Sequence, residues 1–171
     1  LGDQAAEEET LHTSGNLAYW QGDYGRAREC YKESLELSER IGDHYQNEWA
    51  CLFMAYAILR QGDVQHAREL FQISVRRAQK TDLMIALVFA IEGLASLNIL
   101  QAQPERATAL YAWADMMRDS IGDHRPRVEQ NSVERDLAAI HAQLDDSTYD
   151  AAYQTGRAMT VEQEIAYALQ T

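Results

Sequence analysis

The chain has 171 residues, enough for one domain with a continuous core, and its 27 acidic and 15 basic residues give a formal net charge of −12. Because phosphate backbones repel so acidic a surface, the composition argues against direct nucleic-acid binding. The two cysteines, Cys30 and Cys51, lack metal-site spacing, so they predict neither a disulfide framework nor zinc and fit a reduced, cytoplasmic protein.

Glycine–aspartate pairs divide the first 120 residues into helices. Gly22-Asp23, Gly42-Asp43 and Gly62-Asp63 are each typical of a helix that ends at glycine and a next helix capped by aspartate. No stretch alternates polar and apolar residues over a useful length, so no strand is predicted. The predicted helices span 4–21, 24–40, 44–61, 64–80, 83–101 and 104–120.

The same positions recur every 40 residues. The tetrapeptide IGDH occurs at 41–44 and again at 121–124, and QGD occurs at 21–23 and 61–63. A small residue followed four positions later by an aromatic one lies on one helix face and suits the contact between paired helices. These positions are Ala27/Tyr31, Ala67/Phe71 and Ala107/Tyr111. The period predicts three helical hairpins, at about 4–43, 44–83 and 84–123.

The segment SGNLAYWQGDYGRARECYKESLEL, residues 14–37, resembles a tetratricopeptide repeat in Gly15, the turn at 22–24, Ala27 and Tyr31. It departs from the usual pattern in its 40-residue unit, in IGD at the place of the closing proline, and in Leu11, Cys51 and Ile91 at the place of the leading tryptophan. The resemblance implies an all-α, right-handed superhelix of three hairpins over residues 1–124. Units of this length resemble those at the C-terminus of large bacterial signal-transduction ATPases and transcriptional regulators.

Residues 125–171 are predicted to form a C-terminal helical cap, because the end of a repeat array must cover its apolar side. Asp145-Asp146-Ser147 can begin a short helix that Gly156 ends, and Thr160 with Gln163 can form a capping box for a last helix through Leu169. We expect this last helix to pack on helix 83–101 or on the helix after Arg127. The run YDAAYQTGRAMTVEQEIAYAL, residues 149–169, resembles the tail of the same regulators.

Two further expectations concern the context of the chain. Leu1-Gly2-Asp3 falls at the place in the period that Ile41-Gly42-Asp43 occupies, so we expect the chain to be a fragment of a longer array. The apolar run at 83–100 is long enough to suggest a membrane-spanning helix. A buried helix is expected instead, because the run contains Glu92, Ser96 and Asn98 and fits the repeat register.

The sequence predicts no enzyme, cofactor or metal site. It contains no glycine-rich phosphate loop, HExxH or GxSxG motif. Asp43-His44 and Asp123-His124 lie two repeats apart, roughly 20 Å for helices that pack ~8–10 Å apart, so they cannot share one ion. The carboxylates of Glu33, Glu36 and Glu39 fit a solvated helix face.

An aromatic groove is the predicted binding site. In tetratricopeptide arrays the first helix of each hairpin lines a concave surface. Subtracting the residues that must face the second helix (Cys51, Met54, Ala55 and Ile58) leaves Trp49, Phe53 and Tyr56 on one face. Phe89 on the next first helix and Asn16 and Tyr19 on the previous one complete the set. Exposed apolar patches of this kind mark interfaces, although the C-terminal helices or another subunit could equally cover this one.

Two functions fit such a groove. One is a non-catalytic module that binds a peptide or protein partner; the other is a ligand-sensing domain with a small molecule in the groove, which an enclosed pocket at Trp49, Phe53 and Phe89 would favour. The clamp for chaperone C-termini is not expected, because Asn16 matches it but the other clamp positions are His12, Phe53, Phe89 and Gly93, without a cation. Self-association is left open.

Overall fold

The structure is a computed structural model that describes residues 2–125 and 127–170. Leu1, assigned above to the end of a preceding repeat, lies outside this part. The described residues are helical and contain no strand, as predicted, and the first six helices end within two residues of their predicted bounds. The helices are α1 Gly2–Trp20, α2 Tyr24–Ile41, α3 His44–Arg60, α4 Val64–Thr81, α5 Met84–Leu100, α6 Pro104–Ile121, α7 Arg127–His141, α8 Asp146–Arg157 and α9 Val161–Ala168.

The helices form two compact units, one ending at Asp82 and the other beginning at Leu83. In the first unit α1 pairs with α2, α3 pairs with α4, and α2 packs on α3, so two hairpins lie side by side. In the second unit α5 pairs with α6, and α6 also contacts α7, α8 and α9. The third predicted hairpin therefore shares a unit with the C-terminal helices.

The turns follow the predicted chemistry in the first two hairpins and depart from it in the third. Asp23, Asp43 and Asp63 each accept a hydrogen bond from the backbone N–H three residues later, which satisfies a donor that the helix start leaves unpaired. Gly22, Gly42, Gly62 and Gly122 have φ between 69° and 88°. On the two sides of α5, Asp82 and Ala102 take the left-handed conformation at φ 55°, and α5 and α6 begin without a side-chain cap. The third hairpin therefore depends on the packing of its helices rather than on capped turns.

The small and aromatic positions form the core of each hairpin, as their spacing predicts. Ala27, Ala67 and Ala107 are fully buried, and so are Tyr31 and Phe71. A Cβ added to Gly15 on α1 would lie 2.6 Å from Cε1 of Tyr31, so only glycine lets the ring lie this close to the α1 backbone. These contacts set the separation of the paired helices.

A buried carboxyl and a buried serine recur in both hairpins of the first unit. Ser34 on α2 donates a 2.5 Å hydrogen bond to Oε1 of Glu8 on α1. Forty residues later, Glu48 and Ser74 are again buried, and burial raises the pKa of Glu48 while Ser74 and Arg77 oppose the rise. The third repeat has Val88 and Ala114 at these places. The polar pair thus distinguishes the two hairpins of the first unit from the third.

The apolar helix α5 is buried on all sides, as predicted. Its residues 86–88 and 90–98 are buried, and its partners in the second unit are α6 and α7. Within the described part of the chain, none of the helices combines the length and the apolar character that a membrane crossing requires.

Glu92, in the middle of α5, is the centre of a buried ion-pair network. Arg118 on α6 donates to both of its oxygens, from Nε at 2.7 Å and from Nη2 at 2.8 Å, and Arg125 donates from Nε at 2.9 Å. Arg125 also pairs with Asp115, and Arg118 with Asp123. Asp123 of the second IGDH therefore takes part in an ion pair, whereas Asp43 of the first caps α3.

The C-terminal helices dock on α6, which corrects two predictions. Gly156 does not end α8, which continues to Arg157; it is buried where a Cβ would overlap the carbonyl group of Ala109 on α6. The last helix, α9, lies chiefly against α6 rather than against α5 or α7, because Arg106 on α6 donates to the carbonyl oxygens of Tyr167 and Gln170 at 2.5 and 2.7 Å. The capping box of Thr160 and Gln163 is present.

Replacing Gly156 by alanine should destabilise the protein by ~1–3 kcal/mol or more, because the methyl group would push α8 away from α6. Gly25→Ala on α2 is the matched control: its Cβ would meet Asp23 Oδ1 at 3.7 Å, an ordinary contact, and the lower flexibility of the unfolded chain should stabilise by ~0.5–1 kcal/mol. Urea unfolding followed by circular dichroism measures both, and equal loss in the two variants would contradict the close approach.

Glu92→Gln should cost ~3–5 kcal/mol, because it leaves two buried guanidinium groups without the carboxylate that faces them both. Glu134→Gln on α7 removes an exposed carboxylate instead and should change the free energy of unfolding by less than ~0.5 kcal/mol. If the two variants unfold at the same urea concentration, the network does not stabilise the second unit.

Candidate functional site

Four aromatic rings follow one face of α3 in the first unit. Trp49 and Phe53 stack at 5.8 Å between ring centroids and 25° between planes. Tyr45 meets Trp49 at 6.2 Å, and Phe53 meets Tyr56 at 6.4 Å. We call Tyr45, Trp49, Phe53 and Tyr56 the aromatic stripe. The sequence predicted the last three; Tyr45 was missed although it precedes Trp49 by four positions and so shares its helix face.

The inner edge of the stripe takes part in hairpin packing. Phe53 stacks on Tyr31 of α2 at 5.9 Å, and Tyr56 meets Phe71 of α4 edge-on at 4.9 Å. Phe53, with Tyr19 and Met54, packs against the buried cluster of Ala18, Ala27, Tyr31 and Ala57. The expectation that the stripe is left over after hairpin packing is therefore wrong for Phe53 and Tyr56, because rings this large reach the second helices from the side of α3.

The outer edge of the stripe is more accessible. Tyr45 has 57% of its surface exposed, and Trp49, Phe53 and Tyr56 are each half-buried. Large aromatic side chains that are partly accessible and already held by their neighbours lose little conformational entropy when a partner covers them. The stripe thus combines a fixed inner edge with an outer edge that can make contacts.

Asn16 and Tyr19 of α1 lie beside the stripe and are held by hydrogen bonds. The hydroxyl of Tyr31 donates to Oδ1 of Asn16 at 2.8 Å, and Nε of Arg60 donates to the hydroxyl of Tyr19 at 3.3 Å. Burial raises the pKa of Tyr31, so this hydroxyl keeps its proton and remains a donor. Asn16 therefore orients the ring on which Phe53 stacks.

His12, named above only as a position of the chaperone clamp, also lies beside the aromatic stripe. Its ring lies 5.7 Å from that of Tyr31 and 5.5 Å from that of Phe53. Burial lowers the pKa of His12, which favours the neutral imidazole. A neutral histidine supplies no cation for a carboxylate.

Phe89, the sixth predicted residue, lies on α5 in the second unit. The guanidinium of Arg118 lies 4.5 Å from the centroid of its ring. The structure thus brings five of the six predicted residues together in the first unit, and Phe89 belongs to the surroundings of the buried ion-pair network. Its part in a shared groove stays a prediction.

The described residues contain no group of three histidine, cysteine, aspartate or glutamate side chains that could hold a metal ion. Asp43 instead caps α3 through a 3.0 Å hydrogen bond from the backbone N–H of Gln46. Cys30 and Cys51 are free thiols, and burial raises the pKa of both, which disfavours the reactive thiolate form.

Comparison with known proteins shows that the first unit is similar to one family. Residues 7–80 match the family model described as a tetratricopeptide repeat. Neither the curated proteins nor the solved structures contain a significant match to the chain. The matched residues run from the first turns of α1 to the end of α4, and they hold the paired hairpins, the glycine–aspartate turns and the buried alanine–aromatic pairs. Residues 7–80 are therefore similar to tetratricopeptide-repeat domains in sequence and in the arrangement of their helices.

Proposed function

We propose that the first unit binds an extended segment of a protein partner along the aromatic stripe. Tetratricopeptide-repeat domains are protein–protein interaction modules and are typically non-catalytic. The observation that carries the proposal is the row of partly exposed rings on α3. Two of them are fixed by ring contacts with core residues, Phe53 with Tyr31 and Tyr56 with Phe71. Aromatic residues held in this way supply much of the binding energy at protein interfaces.

The spacing of the rings suits an extended peptide. Successive ring centroids in the stripe lie 5.8 to 6.4 Å apart. Every second side chain of an extended peptide points to the same side, at intervals of about 6.6 Å. A segment with apolar side chains at alternate positions could therefore place one side chain beside each ring.

The charge of the chain adds a second feature of the partner. A formal net charge of −12 repels acidic segments and attracts basic ones at long range. The proposed ligand is therefore a segment whose alternate apolar residues are flanked by lysine or arginine.

The wider setting is part of the same proposal. Its support is the resemblance of the 40-residue unit and of residues 149–169 to the C-terminal part of bacterial regulatory ATPases and transcriptional regulators. In such a protein this chain would be the cytoplasmic partner-docking part. The two free thiols agree with a reducing compartment.

Trp49→Ala tests the stripe at its centre, because the Trp49 ring stacks on Phe53 and meets Tyr45 within α3. Peptides selected from a random library on the wild-type protein should carry alternate apolar residues and basic flanks. Fluorescence anisotropy should show them binding Trp49→Ala about 30-fold more weakly, the equivalent of ~2 kcal/mol for a central aromatic residue.

Ile73→Ala is the control, because Ile73 is partly exposed on α4, two positions from Phe71 and hence on the opposite side of that helix. It should bind the selected peptides like wild type. Peptides that bind Trp49→Ala as tightly as wild type would contradict the proposal. A library without enriched peptides, together with a rise in melting temperature on adding small molecules, would favour the ligand-sensing function instead.

A further inference from the structure

Glu164 is a buried carboxyl group that the function proposed above does not use. It lies on α9 with none of its surface accessible to solvent. Neither of its carboxylate oxygens has a hydrogen-bond partner among the described residues. An ionised carboxylate in this position would lose its hydration without compensation, so the docked helix strongly favours the protonated acid.

The charged groups around Glu164 compensate a negative charge only in part. On α6, the cation that acts on Glu164 is Arg106, whose Nη2 donates to the carbonyl oxygens of Tyr167 and Gln170 while its buried Nε has no hydrogen-bond partner among the described residues. Its guanidinium also lies 4.9 Å from the centroid of the Tyr167 ring. Glu105 on α6 and Glu162 on α9 are exposed carboxylates and add negative charge.

The balance of these effects favours the neutral acid at neutral pH. Burial raises the pKa of Glu164 to about 8, and the positive charge of Arg106 lowers it only in part. When α9 leaves α6, the carboxyl regains water and its ordinary pKa of about 4.5.

We propose that Glu164 makes α9 a pH-sensitive latch, which stays docked on α6 while the carboxyl is protonated and detaches as it ionises. The short helix has one buried stripe, Glu164, Ile165 and Ala168, and Arg106 holds its C-terminal carbonyl oxygens. Detachment would expose this stripe and the face of α6 beneath it. Apolar surface near the start of α6 would then become available to another molecule.

The direction of the effect follows from the two protonation equilibria. Because the docked state has the higher pKa, docking is strongest below pH ~4.5, weakens as pH rises from there to ~8, and is constant above. The expected weakening between pH 6 and pH 9 is about 100-fold in the docking equilibrium, nearly all of it below pH 8.5.

Hydrogen–deuterium exchange of the intact chain measures this equilibrium. After correction for the intrinsic pH dependence of exchange, the protection of amides 161–168 should fall by about 100-fold from pH 6 to pH 9, while amides of α2 keep theirs. Glu164→Gln, which cannot ionise, should remove the pH dependence of α9. Glu162→Gln, on the exposed side of the same helix, should keep the wild-type profile.

Two results would overturn the latch. One is the same pH profile of α9 protection in wild type and Glu164→Gln. The other is a carbon-13 titration of the wild-type protein in which Glu164 ionises near pH 4.5, which would mean that it stays charged beside Arg106. The titration needs no variant, so it decides the question even if Glu164→Gln fails to fold.

Discussion

The close contact between a small residue and an aromatic ring, repeated along the second helix of each hairpin, is the constraint on which the rest of the structure depends. Ala27 and Tyr31 in α2 and Ala67 and Phe71 in α4 are fully buried, and Gly15 lets the Tyr31 ring lie against the backbone of α1. Close packing of these rings fixes the distance between paired helices. The same rings support the aromatic stripe, because Tyr31 contacts Phe53 and Phe71 contacts Tyr56.

The candidate binding surface is therefore an extension of the core. Tyr31 and Phe71 are core residues whose rings also support the aromatic stripe, and Asn16 orients Tyr31 through its hydroxyl. Rigidity of this kind favours binding, because side chains that are already ordered lose less entropy when a partner arrives. It also means that Tyr45, which is largely exposed, can change with less effect on folding than Phe53, which packs against the buried cluster.

In the second unit, the helices pack around α6 through contacts of a different kind from those in the first unit. The contact of α6 with α5 includes the pairing of Glu92 with Arg118 and Arg125. The contact of α6 with α8 requires the absence of a side chain at Gly156, and its contact with α9 includes the hydrogen bonds of Arg106. Two of these three contacts bury charged or ionisable groups: Glu92 and Arg118 between α5 and α6, and Glu164 between α6 and α9. Buried charge of this kind makes docking sensitive to single substitutions and, at Glu164, to protonation.

The sequence by itself determined the helices, the turns and the repeated core of this protein, because glycine–aspartate turns and a 40-residue period are local or regularly spaced signals. It also identified Trp49, Phe53 and Tyr56 as neighbours on one face of α3, since helical spacing alone decides that. Only the tertiary structure decided that Phe53 and Tyr56 rest on Tyr31 and Phe71, that Gly156 marks a helix crossing rather than a helix end, and that α9 docks on α6. The first of these contacts depends on how far large rings reach from the side of α3, which helical spacing does not decide. The other two join α6 to helices outside the repeat, where no periodic pattern indicates which faces meet.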